Sequence, residues 1–157
     1  MLERTFTPHP DISLEGQPSL VDEERLWCLL GLPSCGMTLH EEVKGGFPFI
    51  FLARLSSVYG ISQAELAGYA AISSRTLRRR AQVGRFTMLE SDRFYLFATA
   101  LIAAISLFEG DLGLAQTWLF RPMPALAGSK PIEMLSSYVG TKAVLDLIDR
   151  IEHGVFV

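Results

Sequence analysis

Cysteine and histidine are scarce in this sequence, which contains two cysteines, Cys28 and Cys35, and three histidines. Two cysteines cannot form the framework of a disulfide-rich domain, and with the nearby His40 they do not match the ligand spacing of a tetrahedral zinc site. The other histidines, His9 and His153, lie far apart and belong to no metal or nucleophile pattern. We therefore predict no metal site and interpret the two thiols as buried or idle groups in a reducing compartment.

Long apolar runs are also lacking. The most apolar stretch, from Phe94 to Phe108, has 15 residues, fewer than the roughly 20 that a membrane-spanning helix needs. The N-terminal residues MLERTFTPHPDISLEG have no basic start followed by an apolar segment, which a secretory signal requires. The sequence favours a cytoplasmic protein that makes no contact with a membrane.

Catalytic motifs are lacking as well. The segment VKGGFP (43–48) does not have the Gly-Lys-Ser/Thr ending of a phosphate-binding loop. Asp146, Asp149 and Glu152 recur every three residues, which is more typical of an acidic face in water, or of one that pairs with a basic partner, than of a metal site. His153 is interpreted as a cation at the negative end of a helix. The sequence predicts a protein that is not an enzyme and uses no cofactor.

What the sequence does contain is an uneven distribution of charge. Residues 1–46 carry three Lys/Arg and eight Asp/Glu, residues 47–88 carry six and one, and residues 89–157 carry five and eight, so the net charges are −5, +5 and −3. Five of the arginines lie within SSRTLRRRAQVGR (73–85), which has no acid. A basic block inside an acidic chain predicts a segment that binds a polyanion.

The apolar residues recur with helical spacing and no stretch alternates with period two, so we predict an all-α fold. One short helix is predicted within 21–33, with acids at its start and Gly31 as its stop. A second runs from Phe49 to Tyr59 and stops at Gly60, and a long one runs from a Ser91 cap to Gly110. Other predicted helices lie in 111–120, 132–137 and 141–154. In the long helix, a stripe of apolar residues is predicted to pack on Trp118 and Leu119; it comprises Phe94, Phe97, Leu101, Ile105 and Phe108.

Residues 61–84 have the pattern of a helix-turn-helix. Ser62 and Glu65 form a capping-box pattern at the start of a predicted helix, Gln63–Ala70, that would bury Leu66 and Ala67. After a turn at 71–73, Ser73 or Ser74 can cap a second helix that runs to about Val83 and ends at Gly84. Two short helices separated by three or four residues are typical of this DNA-binding motif.

On a wheel of about 100° per residue with Leu77 at zero, Ala81 lies at about 40°, and these two are predicted to pack on the preceding helix. Three arginines and a glutamine share the opposite, exposed face, and Arg80 lies beside the packed side, where it is predicted to pair with an acid or a phosphate. Arginine can bind guanine and glutamine adenine in the major groove. The candidate DNA-binding residues are Ser73, Ser74, Arg75, Thr76, Arg78, Arg79 and Gln82.

Two other interpretations of the arginine cluster remain open at this point. The cluster could be a charged face in water, although arginines without an acidic partner repel one another. It could instead bind an acidic protein surface. Steep salt dependence is typical of DNA binding, because counterions are released from the phosphates.

The segment LAGYAAISSRTLRRRAQVGRFTMLESDR resembles the helix-turn-helix of the Xre/ParS antitoxins, with their TL-x-RR followed by S-D-R. The segment AQTWLFRPMPALAGSKPIEMLSSYVGTKAVLDLIDRIEHGVF resembles their toxin-binding domain. Its marks are Trp118-Leu119, Pro122, Leu126 with Gly128, Pro131 with Leu135, Gly140 and Gly154-Val155. The resemblance covers about residues 60–157. Departures occur at Ala71, where such turns often have glycine, and at Met123 and Ala127, where the family often has Asn and Gly.

The resemblance implies an antitoxin that covers the active site of a RES-domain toxin, an enzyme that consumes NAD, and that represses its own promoter as a homodimer bound to operator DNA. With the boundaries of the three charge segments, the predicted division is an N-terminal arm and short helix (1–46), a helix-turn-helix domain (47–88) and a toxin-binding and dimerisation domain (89–157). The candidate toxin-binding residues are Arg150, His153, Gly154, Val155, Phe156 and Val157. The alternative is a plain repressor whose C-terminal half only dimerises or binds an effector.

Overall fold

The structure, a computed structural model, describes residues 23–33 and 36–155. Within these residues it contains α-helices, two short 3₁₀ helices and no β-strand beyond one isolated bridge between Pro48 and Arg85. The α-helices are α1 (Glu23–Leu30), α2 (Gly36–Gly45), α3 (Ile50–Tyr59), α4 (Gln63–Tyr69), α5 (Ser74–Val83), α6 (Met88–Leu107), α7 (Leu112–Leu119) and α8 (Tyr138–Glu152). The predicted all-α fold is confirmed. The first 22 residues, which include the predicted N-terminal arm, and the tail residues Phe156 and Val157 lie outside the described residues.

The long helix α6 is the centre of the fold, since α1, α2, α3, α7 and α8 all pack against it. The predicted stripe is confirmed: Phe94, Phe97, Leu101 and Ile105 are buried, and Phe108 is partly buried at the end. Small residues that flank this stripe, including Ala98, Ala100 and Ala104, are also fully buried. The buried side of α6 is therefore wider than the stripe, and through it α6 joins the elements before and after it into one apolar cluster.

The start of α6 differs from the prediction. The cap is Thr87. Its hydroxyl accepts a hydrogen bond from the Glu90 amide at 3.3 Å, and the Glu90 carboxylate accepts one from the Thr87 amide at 2.9 Å. The predicted cap, Ser91, is instead buried inside the first turns, where its hydroxyl accepts the Phe47 amide at 2.8 Å and donates to the Thr87 carbonyl at 2.7 Å. The helix also ends at Leu107, short of the predicted Gly110.

The C-terminal helix begins earlier than predicted. Ser137 caps α8 by accepting the Gly140 amide at 3.1 Å, so the helix starts at Tyr138 and not at Thr141. A Cβ on Gly140 would collide with the carbonyl oxygen of Met134. Glycine at this position therefore lets the first turn of α8 lie directly on the preceding segment.

Three shorter elements differ from the sequence prediction. The predicted loop after α7 contains a 3₁₀ helix at Pro124–Leu126, and the predicted short helix at 132–137 is a 3₁₀ helix at Pro131–Met134. Helix α2 occupies a stretch for which the sequence predicts no element, and it packs on α6 through the buried Leu39. No helix among the described residues is long and apolar enough to cross a membrane.

Candidate functional site

The two helices of the motif, α4 and α5, pack on each other. The predicted capping box at the start of α4 is confirmed, since Ser62 Oγ accepts the Glu65 amide at 3.2 Å and the Glu65 carboxylate accepts the Ser62 amide at 2.9 Å. The hydrogen bonds that the Glu65 carboxylate accepts from the Ser62 amide and, at 2.8 Å, from the Ser62 hydroxyl lower the pKa of Glu65. In the turn, Ala71 has a φ of 57°, in the left-handed region. Ser73 then caps α5 by accepting the Thr76 amide at 3.2 Å, and Gly84 ends the helix with a φ of 85°.

The outer face of α5 carries the predicted DNA-binding residues. Arg75, Arg78, Arg79 and Gln82 are all exposed, as are Ser73 and Ser74 at the start of the helix. Thr76 is partly buried, and its hydroxyl accepts a hydrogen bond from Ser73 at 3.0 Å. No acidic side chain in the described part of the chain pairs with any of these three arginines. We call Arg75, Arg78, Arg79 and Gln82 the arginine face.

The inner side of α5 differs from the prediction at Ala81. Ala81 is exposed, and the positions turned toward the body are Leu77 and Arg80, both partly buried. Arg80 Nε lies 2.7 Å from Glu90 Oε2 in α6, and these two side chains retain only 15% and 12% of their exposure. The predicted pairing of Arg80 with an acid is thus confirmed, and the pair takes the place of the packing that was expected from Ala81.

Glu90 has two roles at this junction. Burial by itself raises the pKa of Glu90, but the hydrogen bonds from Arg80 and Thr87 and the charge of Arg80 outweigh burial, so the pKa is lower than usual. The carboxylate is therefore ionised, and it holds α5 through Arg80 while it caps α6 through Thr87. Sequence reasoning missed Glu90, although the spacing Thr87-x-x-Glu90 is itself a capping-box pattern.

Two other arginines near the motif donate to backbone carbonyls and so connect the motif to the rest of the fold. Arg85 donates to the carbonyl of Gly46 at 2.7 Å, and Arg93 in α6 donates to the carbonyl of Ala70 at 3.5 Å. Together with Arg80 they attach the turn and the C-terminal end of the helix-turn-helix to neighbouring elements. The cations that stay exposed on α5 are therefore those of the arginine face.

The last turn of α8 holds most of the second set of predicted residues. His153 Nδ1 lies 2.7 Å from the carbonyl oxygen of Asp149 and 3.3 Å from its carboxylate, and both contacts raise the pKa of His153. Gly154 ends the helix with a φ of 66°, and the Val155 amide donates to the Arg150 carbonyl at 2.9 Å. Arg150 and Val155 are exposed. The structure thus gathers Arg150, His153, Gly154 and Val155 at one helix end; Phe156 and Val157 lie outside the described residues.

A groove of about 310 Å³ lies beside this helix end, between α1, α6 and α8. Apolar side chains such as Leu26, Ile102 and Ile148 line it, and the carboxylates of Glu23, Asp149 and Glu152 lie around it. Of the acidic positions on α8, Asp146 pairs with Lys142 at 2.9 Å. No group of three potential metal ligands occurs among the described residues.

Comparison with known proteins assigns the helix-turn-helix and the C-terminal helices to one family. Residues 38–98 match the profile of the antitoxin Xre-like helix-turn-helix domain, and residues 103–154 match that of the antitoxin Xre/MbcA/ParS C-terminal toxin-binding domain. The antitoxin Xre of Yersinia enterocolitica is 41% identical over 133 residues, which cover 83% of this chain and 90% of the relative. This chain belongs to the Xre antitoxin family.

Two further members of the Xre family align over similar lengths. The antitoxin Xre of Photorhabdus laumondii is 32% identical over 137 residues, covering 86% of this chain and 93% of the relative. That of Pseudomonas putida is 29% identical over 133 residues, covering 83% and 82%. The arginine face lies within the helix-turn-helix match, and α7, α8 and the helix end at Gly154 lie within the toxin-binding match.

Proposed function

We propose that this Xre antitoxin has two binding activities in the cytoplasm. As a homodimer, it binds operator DNA in its own promoter through the arginine face. Through its C-terminal end, it neutralises a RES-domain toxin that consumes NAD by covering the toxin's active site. The proposed division of labour assigns DNA to residues 47–88 and the toxin to residues 89–157, with residues 1–46 as an N-terminal arm and short helix.

The arginine face carries the proposal for DNA. Arg75, Arg78 and Arg79 share one exposed surface without an acidic partner among the described residues, and their mutual repulsion is relieved when phosphates approach. The N-terminal residues of the second helix lie nearest the bases in a helix-turn-helix complex. Arg75, in the first turn of α5, is therefore assigned to guanine. Arg79 and Gln82 follow further along the same face and are assigned to guanine and adenine by the chemistry of their side chains.

Replacing Arg75 or Arg79 by Ala tests this assignment. Each substitution is expected to weaken promoter binding by about 1–3 kcal/mol and to relax specificity at one base pair. The measurement is a gel-shift titration with the promoter fragment at two salt concentrations. Arg25→Ala, which removes an exposed arginine of α1, is the matched control and should leave affinity unchanged. Unchanged affinity in Arg75→Ala/Arg79→Ala would sink the proposal for DNA.

The C-terminal end of α8 carries the proposal for the toxin. The last apolar residues, Val155-Phe156-Val157, follow the helix stop at Gly154, and Val155 is 55% exposed. A pocket that accepts NAD must accept an aromatic base and anionic phosphates. The aromatic ring of Phe156 resembles the base of that substrate, and Arg150 and His153 lie one turn back, where they can anchor the helix end.

Deleting residues 154–157 tests the role of the tail. The truncated antitoxin is expected to fold and to bind promoter DNA, but to allow NAD loss when it is co-expressed with the toxin encoded beside it. NAD is measured in cell extracts, and co-expression with a catalytically inactive toxin shows that any loss depends on the toxin. Full protection by the truncated chain would refute the tail mechanism while leaving the family assignment intact.

A further inference from the structure

The groove between α1, α6 and α8 combines an apolar floor with acidic side chains around it. Its floor is made of apolar side chains from all three helices, including Leu26, Ile102 and Ile148. Three carboxylates surround the floor, those of Glu23, Asp149 and Glu152. Within the described part of the chain, no lysine or arginine lines it. We call this groove the acidic groove.

Each helix lines the acidic groove with one continuous face. The lining residues of α8 recur at intervals of three and four, and they are Leu145, Ile148, Asp149 and Glu152. On α6 the lining residues from Thr99 to Ser106 recur at the same intervals. Residues three and four apart are neighbours on a helix surface, and each of these two stripes covers about 10 Å of helix. The acidic groove is therefore one surface between facing stripes.

Side-chain contacts hold α1 in place as one wall of the acidic groove. Trp27 of α1 is 2% exposed and stacks on Tyr95 of α6 with ring centroids 5.5 Å apart. The same indole donates its N–H to the Glu23 carboxylate at 3.3 Å. The wall and its carboxylate are therefore positioned before a partner arrives, which lowers the entropy cost of binding.

The two carboxylates of α8 lie where a helix disfavours negative charge. Asp149 and Glu152 are in the last turn of α8, next to the negative end of the helix dipole. Asp149 lies 3.3 Å from the exposed ring of His153, and Glu152 forms no ion pair with a described residue. A cation that enters the groove relieves this repulsion, so binding one is favourable.

We infer that the acidic groove receives an arginine or lysine side chain of the toxin. Such a side chain has an apolar stem, which suits the floor, and a charged head, which suits the carboxylates. The inference rests on the proposed toxin binding and adds the chemistry of the contact. It also adds α1 to the toxin-binding surface, because α1 lies outside both family matches while the α8 wall lies within the toxin-binding match.

Charge separates the toxin from other occupants of the acidic groove. DNA phosphates carry the same sign as the groove and are repelled. Residues 1–22, which precede α1, carry one arginine and four acids, a net charge of −3, so charge disfavours them as well. A toxin site that accepts the phosphates of NAD needs cations of its own, which arginine or lysine supplies. Of these three occupants, the toxin is the one whose proposed chemistry requires positive charge.

The double variant Glu23→Gln/Glu152→Gln tests the inference. Glutamine keeps the size of each side chain and an oxygen that can accept the Trp27 N–H, but it removes both charges. We expect the dissociation constant for catalytically inactive toxin, measured by titration calorimetry at low salt, to rise at least about tenfold. The difference from the parent should shrink as salt screens the contact. Promoter affinity should not fall.

The matched control is Glu41→Gln/Glu42→Gln, which removes two exposed glutamates of α2 that do not line the groove. It should bind the toxin like the parent. Equal toxin affinity of the groove variant and the parent overturns the inference, and it leaves the proposed function standing if NAD is still protected. A parent that binds no toxin instead ends the proposed function, and the inference with it.

Carboxyl labelling of the unaltered antitoxin gives a readout that does not depend on the folding of a variant. A water-soluble carbodiimide and glycine ethyl ester modify exposed carboxylates, and mass spectrometry locates the modified residues. Glu23 and Glu152 should be labelled in the free chain and protected in the toxin complex, while Glu41 is labelled in both. Equal labelling of Glu152 in the two states overturns the inference.

Two other labelling results also overturn it. Protection of Glu23 and Glu152 in the free chain that is lost on deleting residues 1–22 assigns the acidic groove to that segment. Protection that grows with antitoxin concentration in the absence of toxin assigns the groove to a second copy of the chain.

Discussion

At the scale of single residues, Ala71 in the turn between α4 and α5 is strained. Its φ of 57° lies in the left-handed region, which costs an L-residue about 1–2 kcal/mol, and glycine adopts this region freely. Ala71 is exposed, so a glycine there gives up no packing. Ala71→Gly is expected to raise the free energy of unfolding by about 1 kcal/mol, measured by chemical denaturation.

The matched control for this substitution lies ten residues further on. Ala81 is also exposed but lies inside α5, where glycine lowers helix stability by about 0.5–1 kcal/mol. Opposite signs for Ala71→Gly and Ala81→Gly are therefore expected. A decrease in both would mean that the turn is not strained as its dihedral angle indicates.

Ala81 also shows where residue-level prediction from sequence stops. The helical wheel placed Leu77, Arg75, Arg78 and Arg79 on the sides where the structure has them, because helical period alone decides those positions. It assigned the remaining inner position to Ala81, whereas in the structure Arg80 lies there and Ala81 is exposed. That choice depends on Glu90 in the next helix, which becomes a neighbour only in the folded chain.

At the scale of helices, the pair of Arg80 and Glu90 joins α5 to α6. The pair is largely buried, so removing one partner leaves the other without compensation. Arg80→Ala is expected to lower the free energy of unfolding by about 1–3 kcal/mol. In a double-mutant cycle with Glu90→Gln, the two effects should not add, because each variant removes the same contact. Additive losses in chemical denaturation would contradict this role.

Acid should weaken the same pair. The pKa of Glu90 in the folded chain is lower than its ordinary value. Its contribution to stability is therefore present above the unfolded pKa and is lost as pH falls through the folded one. As the pH falls from neutral to the pKa of Glu90 in the folded chain, the free energy of unfolding of the parent should therefore fall more than that of the Glu90→Gln variant. Parallel stability curves for the two proteins would show that the carboxylate contributes nothing.

A helix could be predicted from the sequence wherever the capping residues and the helical spacing of the apolar residues pointed to the same segment. The capping box at Ser62 and Glu65, the Ser73 cap and the stops at Gly60 and Gly84 are local patterns, and the structure confirms each of them. The start of α6 was misjudged because Ser91 also fits a cap. Only the distant amide of Phe47, 44 residues earlier, explains why that hydroxyl turns inward.

At the scale of the whole molecule, α6 connects the two binding regions. The helix-turn-helix match ends at residue 98 and the toxin-binding match begins at 103, so both boundaries fall inside α6. Its N-terminal half anchors α5 through Glu90, and α7 and α8 pack against it. Because the apolar cluster is continuous along this helix, damage to one region is expected to lower the stability of the whole chain.

Trp118 tests that expectation in the C-terminal half. Its side chain is 8% exposed and belongs to the core beside the fully buried Leu119. Trp118→Ala should therefore lower the free energy of unfolding by about 3–5 kcal/mol, and Trp118→Phe should lower it less, because the phenyl ring fills part of the space. Promoter and toxin binding should both weaken only under conditions where part of the protein is unfolded. A Trp118→Ala protein that unfolds like the parent yet no longer binds the toxin would instead make Trp118 a toxin contact.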